Sequence, residues 1–231
     1  MWTCNLPSRF SAWPHYVKVR SYQSNLGTYT LSVLTGNGSN ESSHTETFYA
    51  TADTHVSTGS SSASTNNGAA QGLYSGQVDF GGSQPVQYYA FLKFDLSSIP
   101  SSAQITEAKL HFVTGRNSVP CNTGTVSTVT ISEVLSSWTE YGLTFLNMPS
   151  QYKYINAQSG FVFGDCSSNP YSIDVIDAVG DWVNLAQPNN GLLLKASNIQ
   201  NNWGESQDYC TIYSKEVSQT AGPYLVVKYV D

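Results

Sequence analysis

Residues 88 to 113 read YYAFLKFDLSSIPSSAQITEAKLHFV. Ala90, Leu92, Phe94 and Leu96 fall on one side of an extended chain, with Phe91, Lys93 and Asp95 on the other, the two-residue period of a half-buried strand. Ile99, Pro100, Ser101 and Ser102 then supply turn chemistry. Ala108, Leu110 and Phe112 share a side opposite Glu107, Lys109 and His111, so a second amphipathic strand follows at once and the pair reads as a hairpin. A chain of 231 residues is long enough for one large β-sandwich with a real core and a small extra piece.

Composition points the same way. Only 11% of the residues are charged, while Ser, Thr, Asn, Gly and Tyr abound, which suits strands and turns facing an extracellular medium and leaves little room for helix. Ten Lys and Arg stand against 16 Asp and Glu, for a formal charge of -6. With no basic run to neutralise phosphates, nucleic-acid binding is excluded. No apolar run approaches the roughly 20 residues that span a bilayer. One helical signal interrupts the strands: Val175, Ile176, Val179, Trp182 and Val183 recur at helical spacing, with Asp174, Asp177 and Asp181 on the wet side. A short helix capping the sandwich is expected here, with Asp174 or Ser172 capping its start.

Further segments follow the hairpin in a fixed order: SWTEYGLTFLNMP from Ser137, IDVIDAVGDWV from Ile173, NNGLLLKA from Asn189 and IYSKEVSQTAGPYLVVKY from Ile212, while ADTHVSTGSSSASTNNG precedes it from Ala52. In this order the segments resemble the DNRLRE domain family. The resemblance implies an all-β, antiparallel jelly-roll β-sandwich of secreted and cell-surface proteins. It also implies a role like that of family members acting as carbohydrate-binding modules for polysaccharides such as alginate, and it implies no catalysis.

Residues 1–42 read differently. Tyr16 to Val19 and Tyr29 to Val33 are two short strands around Asn25 and Gly27, and His15 to Gly36 resembles the last hairpin of a bacterial pre-peptidase C-terminal domain. Gly36 to Ser43 is a polar linker, with Asn37 and Asn40 in Asn-x-Ser sequons. The domain boundary is placed near Ser42, with the sandwich at 43–231. Residues 1–20 carry Arg9, Pro14, His15, Lys18 and Arg20 where a signal peptide needs an apolar block. Two readings stay open: a remnant of an upstream domain in a longer secreted chain, or an extension that packs on this sandwich or adds a strand to a neighbouring subunit in a filament.

Cys4, Cys121, Cys166 and Cys210 are widely spaced, with no Cys-x-x-Cys pair, so disulfides are favoured over zinc. Cys121 with Cys166 is the expected pair, each in a loop rich in Gly, Asn and Pro, stabilising the fold by roughly 3 to 4 kcal/mol. No cofactor is required by this pattern. A structural calcium ion is compatible with it, with Asp53, Asp79, Asp165, Glu205 and Asp208 as candidate ligands.

Catalytic signals are missing. The sequence has no Gly-x-Ser-x-Gly elbow and no His-Glu-x-x-His. His111, on the polar face of a strand beside Lys109, is the one histidine placed to reach a cleft, and Glu107, Glu133 and Glu140 form no selected pair of acids.

Binding chemistry is richer, with 15 Tyr and 5 Trp whose flat faces can stack on the C–H faces of sugars. Trp138, Trp182, Tyr213 and Tyr229 are expected in the core. Trp203, set among polar residues, is the first candidate contact; Tyr152 and Tyr154 flanking Lys153 are the second, and Tyr74 the third. Lys153, Lys195 and Arg116 are the candidate cations for an acidic sugar. The sequence thus predicts a non-enzymatic polysaccharide-binding module, secreted or at a cell surface, with a structural or adhesive filament subunit as the alternative and a jelly-roll lyase or hydrolase behind both.

Overall fold

The computed structural model describes residues 42–78, 85–114, 125–163, 170–197, 207–218 and 220–231, and within these leaves out the side chains of 78, 125–127, 159–163, 197 and 207–210. All described residues belong to one unit, Asn40–Asp231. Among the described residues its elements are ten strands, one short α-helix and a 3-10 turn at Phe145–Asn147: β1 (Ser43–Ser57), β2 (Gly72–Val78), β3 (Val86–Phe94), β4 (Gln104–Phe112), β5 (Thr125–Val134), β6 (Tyr152–Phe163), β7 (Tyr171–Asp174), α1 (Ile176–Val183), β8 (Leu192–Ser197), β9 (Gln207–Tyr213) and β10 (Tyr224–Val230). Every ladder is antiparallel. This is the all-β sandwich expected from the alternation.

Strand β1 belongs to both layers. Ser43 to Tyr49 pair with β10, which continues to β4 and β7. After a register shift between Ala50 and Ala52, the rest of β1 pairs with β3, which leads to β8, β5 and β6, with β2 and β9 attached beside it. One core lies between the layers: Phe48, Leu110, Leu225 and Val227 from one, Ala90, Leu92, Ile131 and Leu194 from the other.

The hairpin expectation for residues 88–113 needs correction. Both strands exist, and Leu92, Phe94, Leu96, Ala108 and Leu110 are buried in that shared core, but β3 and β4 do not pair. They sit in opposite layers. Alternation reports which side of a strand is apolar and is silent on which strand lies beside it. A second correction concerns Phe91, on the side read as polar. It is fully buried, because the loop after β5 folds back over this face and closes a second apolar cluster of Val56, Phe91, Val134, Trp138, Leu143 and Leu193.

Helix α1 follows its sequence signal. Ala178, Val179, Trp182 and Val183 are buried, and Asp174 Oδ1 accepts the N–H of Ile176 at 3.0 Å, one of the orphan donors of a helix start. Val175 is the residue at the cap position, so the capping carboxylate comes from one residue earlier. At the other end, the N–H of Ala186 donates to Asp181 O at 2.9 Å and that of Leu185 to Trp182 O at 3.3 Å, the paired bonds of a Schellman ending. Leu185 holds the left-handed position of that motif, with φ of 58°. Trp182 and its neighbour then anchor the helix to the sheet. Trp182 Nε1 donates to Glu133 Oε1 at 2.5 Å, while Lys153 pairs with Asp181 and lies 3.6 Å from Glu133 Oε2. Burial raises the Glu133 carboxyl, and the bond from Trp182 and the charge of Lys153 oppose that rise.

Two substitutions test these backbone demands. Leu185→Gly should stabilise the protein by about 0.5 to 1 kcal/mol, since glycine adopts this conformation without the penalty of a Cβ and the exposed leucine side chain buries little. Gly191→Ala should destabilise by about 2 kcal/mol or more, because Gly191 has φ of 86° and a Cβ there would sit 2.0 Å from Leu92 O. Urea midpoints measured in parallel check both, and a stabilised Gly191→Ala protein would contradict the geometry.

Candidate functional site

Strand alternation divides the QYKY segment. Tyr152, opposite Val134, packs against the second apolar cluster, and Tyr154, opposite Ser132, stands 64% exposed on that same outer face. Lys153, between them, turns to the other side, where Asp181 and Glu133 hold its ammonium. The two tyrosines and the lysine read from the sequence as one patch are therefore not one patch. The signal was present in the sequence: neighbours on a strand face opposite ways.

The tyrosines instead share their face with Lys195. In the ladders, Ser132 faces both Leu193 and Tyr154, and Thr130 faces Lys195, which puts Thr130, Ser132, Tyr154 and Lys195 on one face. The Lys195 ammonium lies 5.6 Å from the Tyr89 ring centre, a cation–π distance. Tyr89 packs against the same cluster as Tyr152 and donates to Gln87 Oε1 at 2.5 Å. Burial, with the nearby Tyr89, pushes the Tyr152 hydroxyl up to about 12, so it stays a neutral donor and spends its proton on Pro149 O. Lys195 is exposed and makes no ion pair among the described residues. The face thus offers an open phenol ring, a cation with no acid partner among the described residues and two hydroxyl-bearing strand residues. Tyr89 was not singled out from the sequence, because YY at the start of a strand gives no sign of which ring faces out.

Tyr74 lies elsewhere. Its ring meets His55 edge-on at 4.7 Å and Tyr88 at 5.6 Å, a packed aromatic cluster apart from the face just described. Trp138 and Tyr229 are buried as expected, as is Trp182, while Tyr213 is half-buried. Trp203, Arg116, Cys121 and Cys166 lie outside the described residues, as do Cys4, Asp79, Asp165 and Glu205 and the side chains of Asp208 and Cys210.

Asp53, a candidate calcium ligand, is fully buried. Its Oδ2 accepts the N–H of Lys215 at 2.7 Å, its Oδ1 has no partner, and its own N–H donates to Glu140 Oε1 at 3.0 Å. The Lys215 ammonium lies 3.0 Å from Glu140 and also pairs with Glu216. A protein cation therefore pairs with two of these acids, Glu140 and Glu216, and its backbone N–H serves Asp53. Among the described residues no three His, Cys, Asp or Glu are grouped to hold a metal ion. Burial pushes Asp53 up to about 7, against the Lys215 N–H and charge, which pull it down. Two residues along β1, His55 is buried with Nδ1 unpartnered, and burial pulls it down to about 4.

The acids weighed for catalysis are similarly engaged. Glu107 lies between Lys228 at 3.1 Å and Lys109 at 3.7 Å, Glu133 is roofed by Trp182, and Glu140 serves Asp53 and Lys215. His111 stacks on Tyr224 with ring centres 4.8 Å apart and an interplanar angle of 6°.

The loop between β5 and β6 was read from the sequence only as a motif. It holds an open pocket of about 250 Å3 lined by Ser137, Trp138, Thr139, Gly142, Leu143 and Asn147. Two exposed apolar residues, Tyr141 and Leu146, stand on the same loop.

A family model described as carbohydrate-binding module family 96 matches residues 44–229. No curated protein matches the chain. Among the described residues no helix is long and apolar enough to cross a membrane.

The buried pair on β1 has a measurable consequence. Asp53 holds its proton more tightly in the folded state, so its contribution to stability falls as pH rises from about 4 to about 7. His55 binds its proton more weakly when folded, so its contribution is lost as pH falls from about 6.5 to about 4. Asp53→Asn keeps an acceptor for the Lys215 N–H and deletes only the first effect. Its stability relative to the parent should therefore rise between about pH 5 and about pH 8. Chemical denaturation at the two pH values checks this, and a difference that does not change with pH would refute the assignment.

Proposed function

Because the chain belongs to carbohydrate-binding module family 96, a family of non-catalytic binding modules, we propose that it binds a polysaccharide through surface aromatics and does no chemistry on it. The observation that carries the reading is the outer face that carries the exposed Tyr154 and, further along it, Tyr89 under Lys195, a lysine without an ion pair among the described residues. A phenol ring stacks on the C–H face of a pyranose, and the hydroxyls of Thr130 and Ser132 lie on the same face to bond sugar hydroxyls. Lys195 would pair with the carboxylate of an acidic sugar at this place, whereas Lys153 is already neutralised. Trp203 and Arg116 are kept as contacts of the same polymer, and Tyr74 as a support behind His55. The engaged states of Glu107, Glu133, Glu140 and His111 favour binding over catalysis. The reading requires no cofactor, and a structural calcium would serve stability alone.

A module of this kind raises the local concentration of whatever it is tethered to at a polysaccharide surface. We place it outside the cell, secreted or held at a cell surface, as the low charge and the resemblance to DNRLRE domains suggest. Residues 1–42 then read as the link to an upstream domain.

Affinity electrophoresis through gels containing alginate, pectin, xylan, β-glucan or chitin derivatives tests the proposal. Migration should be slowed by at least one polymer. Tyr154→Ala should weaken that retention up to about tenfold, the worth of one aromatic stacking contact, and Lys195→Ala should weaken it for acidic polymers only. Free migration through every gel would overturn the reading.

A further inference from the structure

We infer that the loop Ser137–Asn147 is a second sugar-binding subsite, distinct from the Tyr154 face, which takes one neutral pyranose residue against Tyr141 with its hydroxyls in the adjoining pocket. This rests on the polysaccharide-binding reading and adds to it a second place of contact and the chemistry of its ligand. Tyr141 is 66% exposed and its hydroxyl has no hydrogen bond among the described residues; Leu146 is 72% exposed. In sequence Tyr141 falls between the pocket residues Thr139 and Gly142, and Leu146 is the neighbour of Asn147. Large exposed apolar side chains flanking a concave, polar-rimmed pocket mark binding surfaces more than they mark packing.

The loop is rigid by construction. Asn66 Nδ2 donates to Glu140 O at 2.7 Å and Leu143 O at 2.8 Å. Trp138 Nε1 donates to Asn190 O at 2.8 Å, and Lys93 Nζ to Trp138 O at 2.6 Å. Asn147 closes the turn, donating to Gly142 O and accepting from the Thr144 N–H, both at 2.8 Å. Underneath, Trp138 meets Phe91 at 5.6 Å and Lys93 lies over its ring. A ring displayed on such a frame loses little freedom when it binds, which is the main economy open to a small site.

The ligand's size and charge follow from the same residues. The pocket, at about 250 Å3, falls below the ~300–1,000 Å3 of sites for drug-sized molecules, which fits one sugar residue. The loop has no free charge: Glu140 is held by Lys215, and Lys93 by a carbonyl and the Trp138 ring. The hydroxyls of Ser137 and Thr139, with no hydrogen bond among the described residues, are left for sugar hydroxyls. A carboxylate would find no partner here, unlike at Lys195.

Calorimetric titration of the full chain with cellohexaose, xylohexaose, mannohexaose and laminarihexaose, at low and at high sodium chloride, tests the inference beside the affinity gels. At least one should bind, with affinity unchanged by salt, since no ion pair forms. Tyr141→Ala should cost up to about tenfold without lowering the melting temperature, and Tyr141→Phe should keep most of the affinity. Equal affinity in Tyr141→Ala, or no neutral oligosaccharide bound by a protein that the polymer gels retain, overturns this subsite and leaves the module. A protein that neither gels nor oligosaccharides engage overturns both.

Discussion

Strand β1 is the element on which the rest depends, because one continuous strand is hydrogen-bonded into both layers. A strand that changes partner must turn its ladder groups toward a new neighbour, and the register shift between Ala50 and Ala52 does this by adding a residue opposite β3. The change has a cost further along. Beyond it, Asp53 and His55 stand in register with Leu92 and Ala90, whose side chains lie in the core. Both polar residues are buried, and each keeps one atom without a partner. The Lys215 backbone, Glu140 and the Tyr74 ring surround them. The titration behaviour of β1 is thus a consequence of how the two layers are joined.

The same joint organises the loops. Asp53 reaches Glu140 through its N–H, and Asn67 reaches His55 O at 2.9 Å, so the turn after β1 and the loop after β5 are fastened to one stretch of strand. That loop covers Phe91 and Leu193 with Trp138 and Leu143, making a sheet buried on both sides at its middle. What it leaves uncovered on this face is the rim toward β6, where Tyr154 and Lys195 stand.

The amphipathic strands were legible because a period of two needs only local order: Leu92, Phe94, Ala108 and Leu110 are all inward, and α1 falls where its spacing put it. Pairing was not legible, since an alternating strand fits either layer equally well; β3 and β4 were read as partners and are in opposite layers. The first half of β1 was also missed. Thr45, Glu46 and Thr47 follow a polar linker and are polar on both faces, and only the ladder with β10 holds them extended. At the site, Lys153 was grouped with its neighbours by closeness in sequence, although the alternation that located the strands already separated them. Tyr141 sits in a segment whose motif character drew attention to Trp138, and its exposure follows from a loop path that no local pattern encodes.

Charge is used sparingly, and its placement bears on what kind of recognition the surface can perform. Lys93, Lys109, Lys153, Lys215 and Lys228 each meet a carbonyl or a carboxylate, and among the described lysines Lys195 meets an aromatic face with neither. A chain of net charge -6 repels acidic polymers at long range, so one free ammonium cannot draw them in; it can only favour one register once a ring has settled beside Tyr89. Recognition on this sandwich therefore rests on short-range stacking by rings that strands and pinned loops hold in place. Such contacts are individually weak, and a repeating polymer engaging two rigid subsites multiplies them, because the second contact forms at the effective concentration set by the first.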